Sequence, residues 1–179
     1  MTELLDFIAN MGDSNFIKSD QIFCFGDRQT GKTYNMILKS YYNAIKYFME
    51  YKEAYEFIIS IITPTVVQGE VILDKIPHIL KNFRCTVKNK SKKIVIIEDE
   101  FNHSVEFNID TVESIRSKKI DYYIIDEAPF IKNIKECLIN LIYNNCVFIV
   151  GGSSYYSMGI NPNISNEKYV KSVRGVLQR

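Results

Sequence analysis

The chain has 179 residues with a formal net charge of +1, a length that suits one domain around one core, here expected to span 1–179, and leaves little room for two. The near-neutral balance excludes a passive, strongly basic nucleic-acid coat while allowing a local basic groove. Hydrophobic residues at 46% against 24% charged describe a globular chain, with no apolar run of membrane-spanning length, no basic leader after Met1, and four scattered cysteines (Cys24, Cys85, Cys137, Cys146) expected to be reduced thiols of a cytosol-like compartment.

In chain order, Leu4, Leu5, Ile8 and Met11 predict a short amphipathic helix over Glu3 to Met11, followed by a turn at Gly12 to Asn15. Gln21 to Phe25 reads as a buried strand, and the glycine-containing segment after it opens a helix from Lys32 to Tyr51 that holds neither Gly nor Pro. Phe57 to Thr63 is an Ile-rich strand stopped by Pro64. Val66 to Leu80 is a second helix, which Pro77 is expected to end early or kink. Polar turns separate Thr86-Val87-Lys88, Ile94 to Ile97 and Val105-Glu106-Phe107, the pattern of a small antiparallel meander. Tyr122 to Ile125 is a third buried strand and Ile131 to Tyr143 a helix. Cys146 to Val150 is a strand expected to end at Gly151-Gly152, and Ser165 to Gln178 reads as a closing helix. Strands alternating with helices predict an α/β fold: a mainly parallel sheet with helices on both faces and the meander inserted. Ligands of such sheets bind beyond the carboxyl ends of the strands.

Three strand ends carry chemistry. Gly26-Asp27-Arg28-Gln29-Thr30-Gly31-Lys32-Thr33 matches G-x-x-x-x-G-K-[ST], preceded by a strand and followed by a helix. The glycines let main-chain N–H groups turn around phosphate oxygens, and the helix N-terminus faces the same anion. Lys32 is expected to reach the β- and γ-phosphates of ATP and the Thr33 hydroxyl to ligate Mg²⁺, with Tyr34 closing the nucleotide-contacting stretch. The second end is Asp126-Glu127, after the apolar Tyr122 to Ile125. Two adjacent carboxylates at a half-buried position repel each other unless a cation is near. Asp126 is the expected metal ligand beside Thr33, and Glu127 the expected general base that polarises water, which separates a hydrolase from a small-molecule kinase. At the third end, Gly151-Gly152-Ser153-Ser154 brings a hydroxyl, from Ser153 or Ser154, within reach of a phosphate oxygen or of Glu127. Gly152, Ser153 and Ser154 are therefore candidate coupling residues.

With these residues on the page, the chain resembles the ATPase half of viral and phage terminase large subunits. Arg28-Gln29-Thr30-Gly31-Lys32-Thr33 is similar to their R-Q-x-G-K-[ST] loop, and Pro64-Thr65-Val66-Val67-Gln68 to their P-T-x-x-Q segment. Ser114-Ile115-Arg116-Ser117 followed by Asp126-Glu127-Ala128-Pro129-Phe130-Ile131 is similar to their S-x-R-G…D-E-A-x-F-I pattern, with Ser117 in place of the usual Gly. The resemblance implies an ATPase that pumps double-stranded DNA into a capsid, as a homo-oligomeric ring on a portal in the host cytoplasm, away from membranes. It also implies that Arg28 swings onto the γ-phosphate as a finger supplied in cis, as a guanidinium suits phosphate. No counterpart of the family's adenine-reading Gln upstream of the loop is evident, and the nuclease domain usual in the family is not expected in these residues.

Other residues are expected to do less. His78 and His103 lack partners at metal-ligand spacing. Lys88, Lys90, Lys92 and Lys93 read as a solvated hairpin or a DNA contact, Arg116, Lys118 and Lys119 carry the same two readings, and Tyr41, Tyr42, Tyr47 and Tyr51 read as helix packing. Arg84, Arg174 and Arg179 are each candidates to act across a subunit boundary. Rival functions are a helicase-like ATPase, a phosphotransferase of the nucleoside-kinase kind, and a non-catalytic nucleotide-dependent assembly module.

Overall fold

The computed structural model describes residues 21–26, 31–114 and 119–153. The helices expected over Glu3 to Met11 and Ser165 to Gln178, with the turn between Gly12 and Asn15, lie outside them. The described elements are β1 (Gln21–Gly26), α1 (Lys32–Glu50), β2 (Glu56–Ile62), α2 (Val66–Ile79), β3 (Cys85–Lys90), β4 (Ile94–Asp99), β5 (Ser104–Asp110), β6 (Tyr122–Ile125), a 3-10 turn (Ala128–Phe130), α3 (Ile134–Tyr143) and β7 (Phe148–Ser153).

All seven strands join one sheet in the order β1-β7-β6-β2-β5-β4-β3. The first five in that order run parallel, while β4 is antiparallel to both β5 and β3. The expected meander is therefore present but is not a separate insertion. Its last strand, β5, pairs with β2 from Glu56↔Ser104 to Ile62↔Asp110 and makes the meander the far edge of the main sheet.

The side-chain period of two sorts each central strand between the faces. Tyr122 and Ile124 of β6 pack into one cluster with Met36, Ile37, Tyr41, Ala44 and Phe48 of α1 and Ile72, Leu73 and Ile76 of α2. Tyr123 and Ile125 point into the other, with Cys137, Leu138, Leu141 and Ile142 of α3. Helices thus cover both faces, as the alternation of elements predicts. The apolar stripe of α3, at Ile134, Cys137, Leu138, Leu141 and Ile142, follows the i, i+3, i+4, i+7, i+8 spacing that buries one side of a helix. Burying side chains of the Leu or Ile kind contributes about 1.5–3 kcal/mol each, so these two layers dominate the stability of the sheet.

Three local expectations change. The helix α2 runs through Pro77 to Ile79. The proline falls in the last turn, where it costs a single helical bond, and Leu80 N–H still reaches the Ile76 carbonyl at 2.9 Å. The helix expected from Ile131 starts only at Ile134, after the 3-10 turn and a left-handed Asn133 (φ 60). Finally, β7 does not stop at Gly151-Gly152 but continues through both to Ser153. A Cβ on Gly151 would stand 2.5 Å from the Met36 sulfur and 3.3 Å from the Cys24 carbonyl oxygen, so the glycine serves close packing of α1 on β7 and not a turn.

Candidate functional site

The carboxyl ends of β1, β7, β6 and β2 lie side by side along one edge of the sheet, in that order. Gly26, at the end of β1, is opposite Ser153 at the end of β7. Asp126 and Glu127 follow Ile125, the last residue of β6, and the Asp126 N–H donates to the Ile62 carbonyl of β2 at 3.0 Å. Every strand end expected to carry chemistry therefore converges on one rim.

Gly31 enters α1 with φ 77, a left-handed conformation that suits glycine, and its carbonyl accepts the first helical bond from Asn35 N–H at 2.9 Å. This puts Lys32 and Thr33 in the first turn, with their backbone N–H groups among those a helix leaves without intrahelical partners. The Lys32 side chain is buried. Thr33 Oγ1 donates to Asp126 Oδ2 at 2.6 Å, joining residues 93 positions apart. Tyr34 stands on the rim, half exposed. Asp27, Arg28, Gln29 and Thr30 lie outside the described residues.

Asp126 is buried, and burial pushes its carboxyl above the usual carboxylate range. The Thr33 hydroxyl, the Glu127 N–H and the charge of Lys32 pull the other way, while the Glu127 charge adds to the rise. The Glu127 N–H donates back to Asp126 Oδ1 at 2.9 Å. Glu127 itself has φ 52 and ψ 41, a left-handed backbone that costs a non-glycine residue on the order of 1–3 kcal/mol. That turn carries its carboxylate toward β7. There Ser153 holds both oxygens, its N–H donating to Oε2 at 3.1 Å and its hydroxyl to Oε1 at 2.8 Å. Of the two serines expected to reach Glu127, Ser153 does so and Ser154 lies outside the described residues. Gly152 is buried in β7 just before it.

These groups open into a cleft of ≈ 900 Å³ bordered by Gly31, Lys32, Thr33, Tyr34, Glu127 and Ser153. Gln68, Lys75, His78 and Ile79 of α2, with Phe130, border the same cleft. The α2 wall was not anticipated. Its signal in the sequence is the spacing 68, 75, 78 and 79, which keeps one helix face in line; of these residues Gln68 alone belongs to a motif. The hydroxyl of Thr33 and the carboxylate of Asp126 are hard oxygen donors held together at a strand end. Such a pair fits a magnesium-sized cation, which takes one or two protein ligands and fills its shell with water and phosphate oxygens. Among the described residues no group of three or more His, Cys, Asp or Glu is placed to hold a metal.

The residues expected to do less mostly stay at the periphery. His103 stacks on Phe48 (centroids 4.5 Å apart) and bonds Asp99 through Nδ1 at 2.9 Å. Lys88 pairs with Glu98, and Lys90 with Asp74 at 2.8 Å. Tyr41 packs edge-on against Phe83 and Tyr47 against Tyr51 and Phe57, but Tyr42 is exposed beneath Lys39 instead of packing inward. Arg116, Ser117 and Lys118 lie outside the described residues. No described helix is long and apolar enough to cross a membrane.

The strand order, the left-handed glycine entering α1 and the acidic end of β6 define a P-loop NTPase-like α/β fold. Among solved structures the chain is similar to the large terminase of the thermophilic bacteriophage D6E, with 13% identity and a TM-score of 0.53 over 98% of this chain and 46% of that one. The same terminase in complex with ATP-gamma-S also aligns with 13% identity and a TM-score of 0.53, over 96% of this chain and 46% of that one. The large terminase ATPase domain of Thermus phage P74-26 aligns with 17% identity over 82% of this chain and 67% of that one, at a TM-score of 0.46 too low to argue from. At these identities the likeness is one of fold. The chain spans about half the length of the D6E terminase. No protein-family profile and no curated protein sequence matches it.

Proposed function

We propose that the chain is a magnesium-dependent ATPase of the terminase type, its hydrolysis driving double-stranded DNA into a capsid from a ring of copies seated on a portal. The observation that carries the hydrolase reading is the shared cleft. A lysine and a helix N-terminus form one end, and a glutamate with its carboxylate held by Ser153 stands beside them.

In this reading Lys32 and the N–H groups that begin α1 bind the β- and γ-phosphates and offset their charge. Thr33 and Asp126 hold the Mg²⁺, which when bound neutralises phosphate charge. Glu127 orients a water against the γ-phosphorus. As the new O–P bond forms, the bond from phosphorus to the β,γ-bridging oxygen breaks, ADP leaves, and the water proton passes to a Glu127 oxygen. Ser153 fixes the direction of that carboxylate and leaves each oxygen a further lone pair for the water proton. Arg28 is assigned the cis finger on the γ-phosphate, and Asp27, Gln29 and Thr30 the rest of the phosphate cage. The DNA, ring and portal assignments are supported by the ordered terminase-like segments together with the shared fold.

The test is a pair of variants in nucleotide binding and phosphate-release assays. Glu127→Gln keeps triphosphate affinity and loses turnover by about two to three orders of magnitude, while Lys32→Ala loses tight triphosphate binding. Normal turnover by Glu127→Gln overturns the base assignment. Phosphate delivered to a nucleoside instead of water overturns the hydrolase reading.

A further inference from the structure

The meander makes one of its turns on the rim that carries the cleft. β5 runs parallel to β2 and β2 to β6, while β4 runs against β5, so Ile94 stands opposite Asn108 near the carboxyl end of β5. The Ile109 N–H donates to the Lys93 carbonyl at 2.9 Å. The turn Ser91-Lys92-Lys93 between β3 and β4 is therefore on the same edge as Asp126 and Glu127, three strand spacings from β6, or about 14 Å. Ser91 builds it. Its hydroxyl oxygen accepts from the N–H groups of Lys93 at 3.3 Å and Ile94 at 3.1 Å, and its own N–H donates to the Ile94 carbonyl at 2.8 Å.

Lys88 and Lys90, on β3, are paired with Glu98 and with Asp74 of α2. Lys92 and Lys93 are exposed and make no ion pair with a described residue. The carboxylates of β4 and β5 are engaged elsewhere: Glu98 by Lys88, Asp99 by His103, Glu106 by the Asn108 amide at 2.6 Å, and Asp110 by Ser60 and Ser114 at 2.9 and 3.2 Å. Protection of the open sheet edge does not account for the free lysines, because the ladder between β3 and β4 closes at Lys90↔Val95 and both lie beyond it. Nor does the turn require lysine, since its bonds come from Ser91 and the main chain. With a net charge of +1 the molecule as a whole has little attraction for a polyanion, so any such attraction is local.

We infer that Lys92 and Lys93 contact the phosphodiester backbone of double-stranded DNA, which this turn holds against the carboxyl rim beside the hydrolysis cleft. The inference rests on the DNA part of the reading above and gives it a surface. Two ammonium groups on long stems at one turn meet phosphates that recur about every 1.7 Å along a duplex axis, and contacts of this kind position the duplex without reading its sequence. From Asn89 to Lys93 there is no aromatic ring. The exposed rings of the region, Phe101 between β4 and β5 and Tyr55 beside Ser104, lie at the opposite edge of the sheet. Single strands are held largely by stacking on such rings, so the turn suits the duplex and not a separated strand.

The experiment is fluorescence anisotropy of a short labelled duplex across a salt series, read beside binding of a non-hydrolysable triphosphate. Lys92→Ala combined with Lys93→Ala should reduce the steepness of log K against log salt by about 0.9 for each lysine removed. Lys46→Ala combined with Lys52→Ala takes the same charge from exposed positions around the far end of α1 and should leave the slope as it is. Both lysines of the turn are exposed, so the melting temperature and triphosphate binding should hold. Equal losses in the two double variants reduce the contact to general charge and overturn it. An unchanged slope in the turn variant, or tighter binding to a single strand of the same sequence, overturns it as well. Protein that binds triphosphate but no duplex loses the DNA reading together with this contact and keeps the nucleotide site. Duplex binding through the turn without triphosphate binding removes the nucleotide site and keeps the contact.

Discussion

Ser153 gives Glu127 two hydrogen bonds, one from its backbone and one from its side chain, and the difference between them can be measured. Ser153→Ala keeps the N–H and removes the hydroxyl. A hydrogen bond to a charged group contributes about 1.5–3 kcal/mol, so a Glu127 carboxylate freed to rotate should slow the chemical step roughly tenfold or more. Triphosphate affinity should hold, since no phosphate contact is removed. Single-turnover hydrolysis beside equilibrium binding checks this, and an unchanged single-turnover rate would show that the Ser153 N–H and the left-handed backbone of Glu127 orient the carboxylate without the hydroxyl. The residues of this site were unequally legible. Lys32, Thr33, Asp126 and Glu127 stand in short motifs whose spacing reflects strand-to-turn geometry, and the structure brings Lys32, Thr33 and Glu127 onto one cleft with Asp126 bonded to Thr33. Lys75 and His78 belong to no motif. They border the cleft through the tertiary placement of α2; their spacing marks one helix face without saying what that face meets.

At the scale of elements, the seam between α1 and β7 is the tightest test of the packing. Gly151 gives α1 its close approach, and the Met36 sulfur occupies the space a Cβ would need. Gly151→Ala therefore overpacks a buried contact and should cost about 1–3 kcal/mol, each kcal/mol lowering the melting temperature by about 2–4 °C for a chain of this size. Thermal unfolding followed by circular dichroism measures it; an unchanged melting temperature would mean that Met36 simply rotates away. The same glycine explains a misreading. Gly-Gly at the end of an apolar run ordinarily signals a turn, and here both residues remain in the strand, Gly151 because the neighbouring helix, and not chain reversal, demands the absence of a side chain. Pro77 misleads in the opposite sense, since a proline so near the end of a helix displaces little.

For the whole molecule, a ligand gripped by residues from α1, β6 and β7 should tie the two faces of the sheet together. With Mg²⁺ and non-hydrolysable triphosphate at a hundred times the dissociation constant, stability should rise by about 2.7 kcal/mol. A chelator should withdraw most of that gain, because Thr33 and Asp126 then meet the phosphates without a cation. Differential scanning calorimetry with and without chelator reads it, and a gain indifferent to the metal would remove magnesium from the account. The layered sheet was legible from alternating apolar strands and amphipathic helices. The attachment of the meander through β5 was not, because pairing between β2 and β5 joins residues about fifty positions apart and leaves no mark on either segment.

The placement of β7 between β1 and β6 has a consequence for how the chain is made. A nascent polypeptide emerges from its amino end, so β1 leaves the ribosome more than a hundred residues before the strand it pairs with. Until β7 arrives, β1 has no described neighbour in the sheet, while β2, β5 and β6 can already associate. The strand β1 is synthesised early yet is expected to join the sheet late, when one incoming strand closes the gap. In the proposed reading, competence to bind a nucleotide then waits for the rest of the sheet, and a truncated product that lacks β7 is expected to carry the whole G-x-x-x-x-G-K-[ST] motif without Ser153 to complete the site.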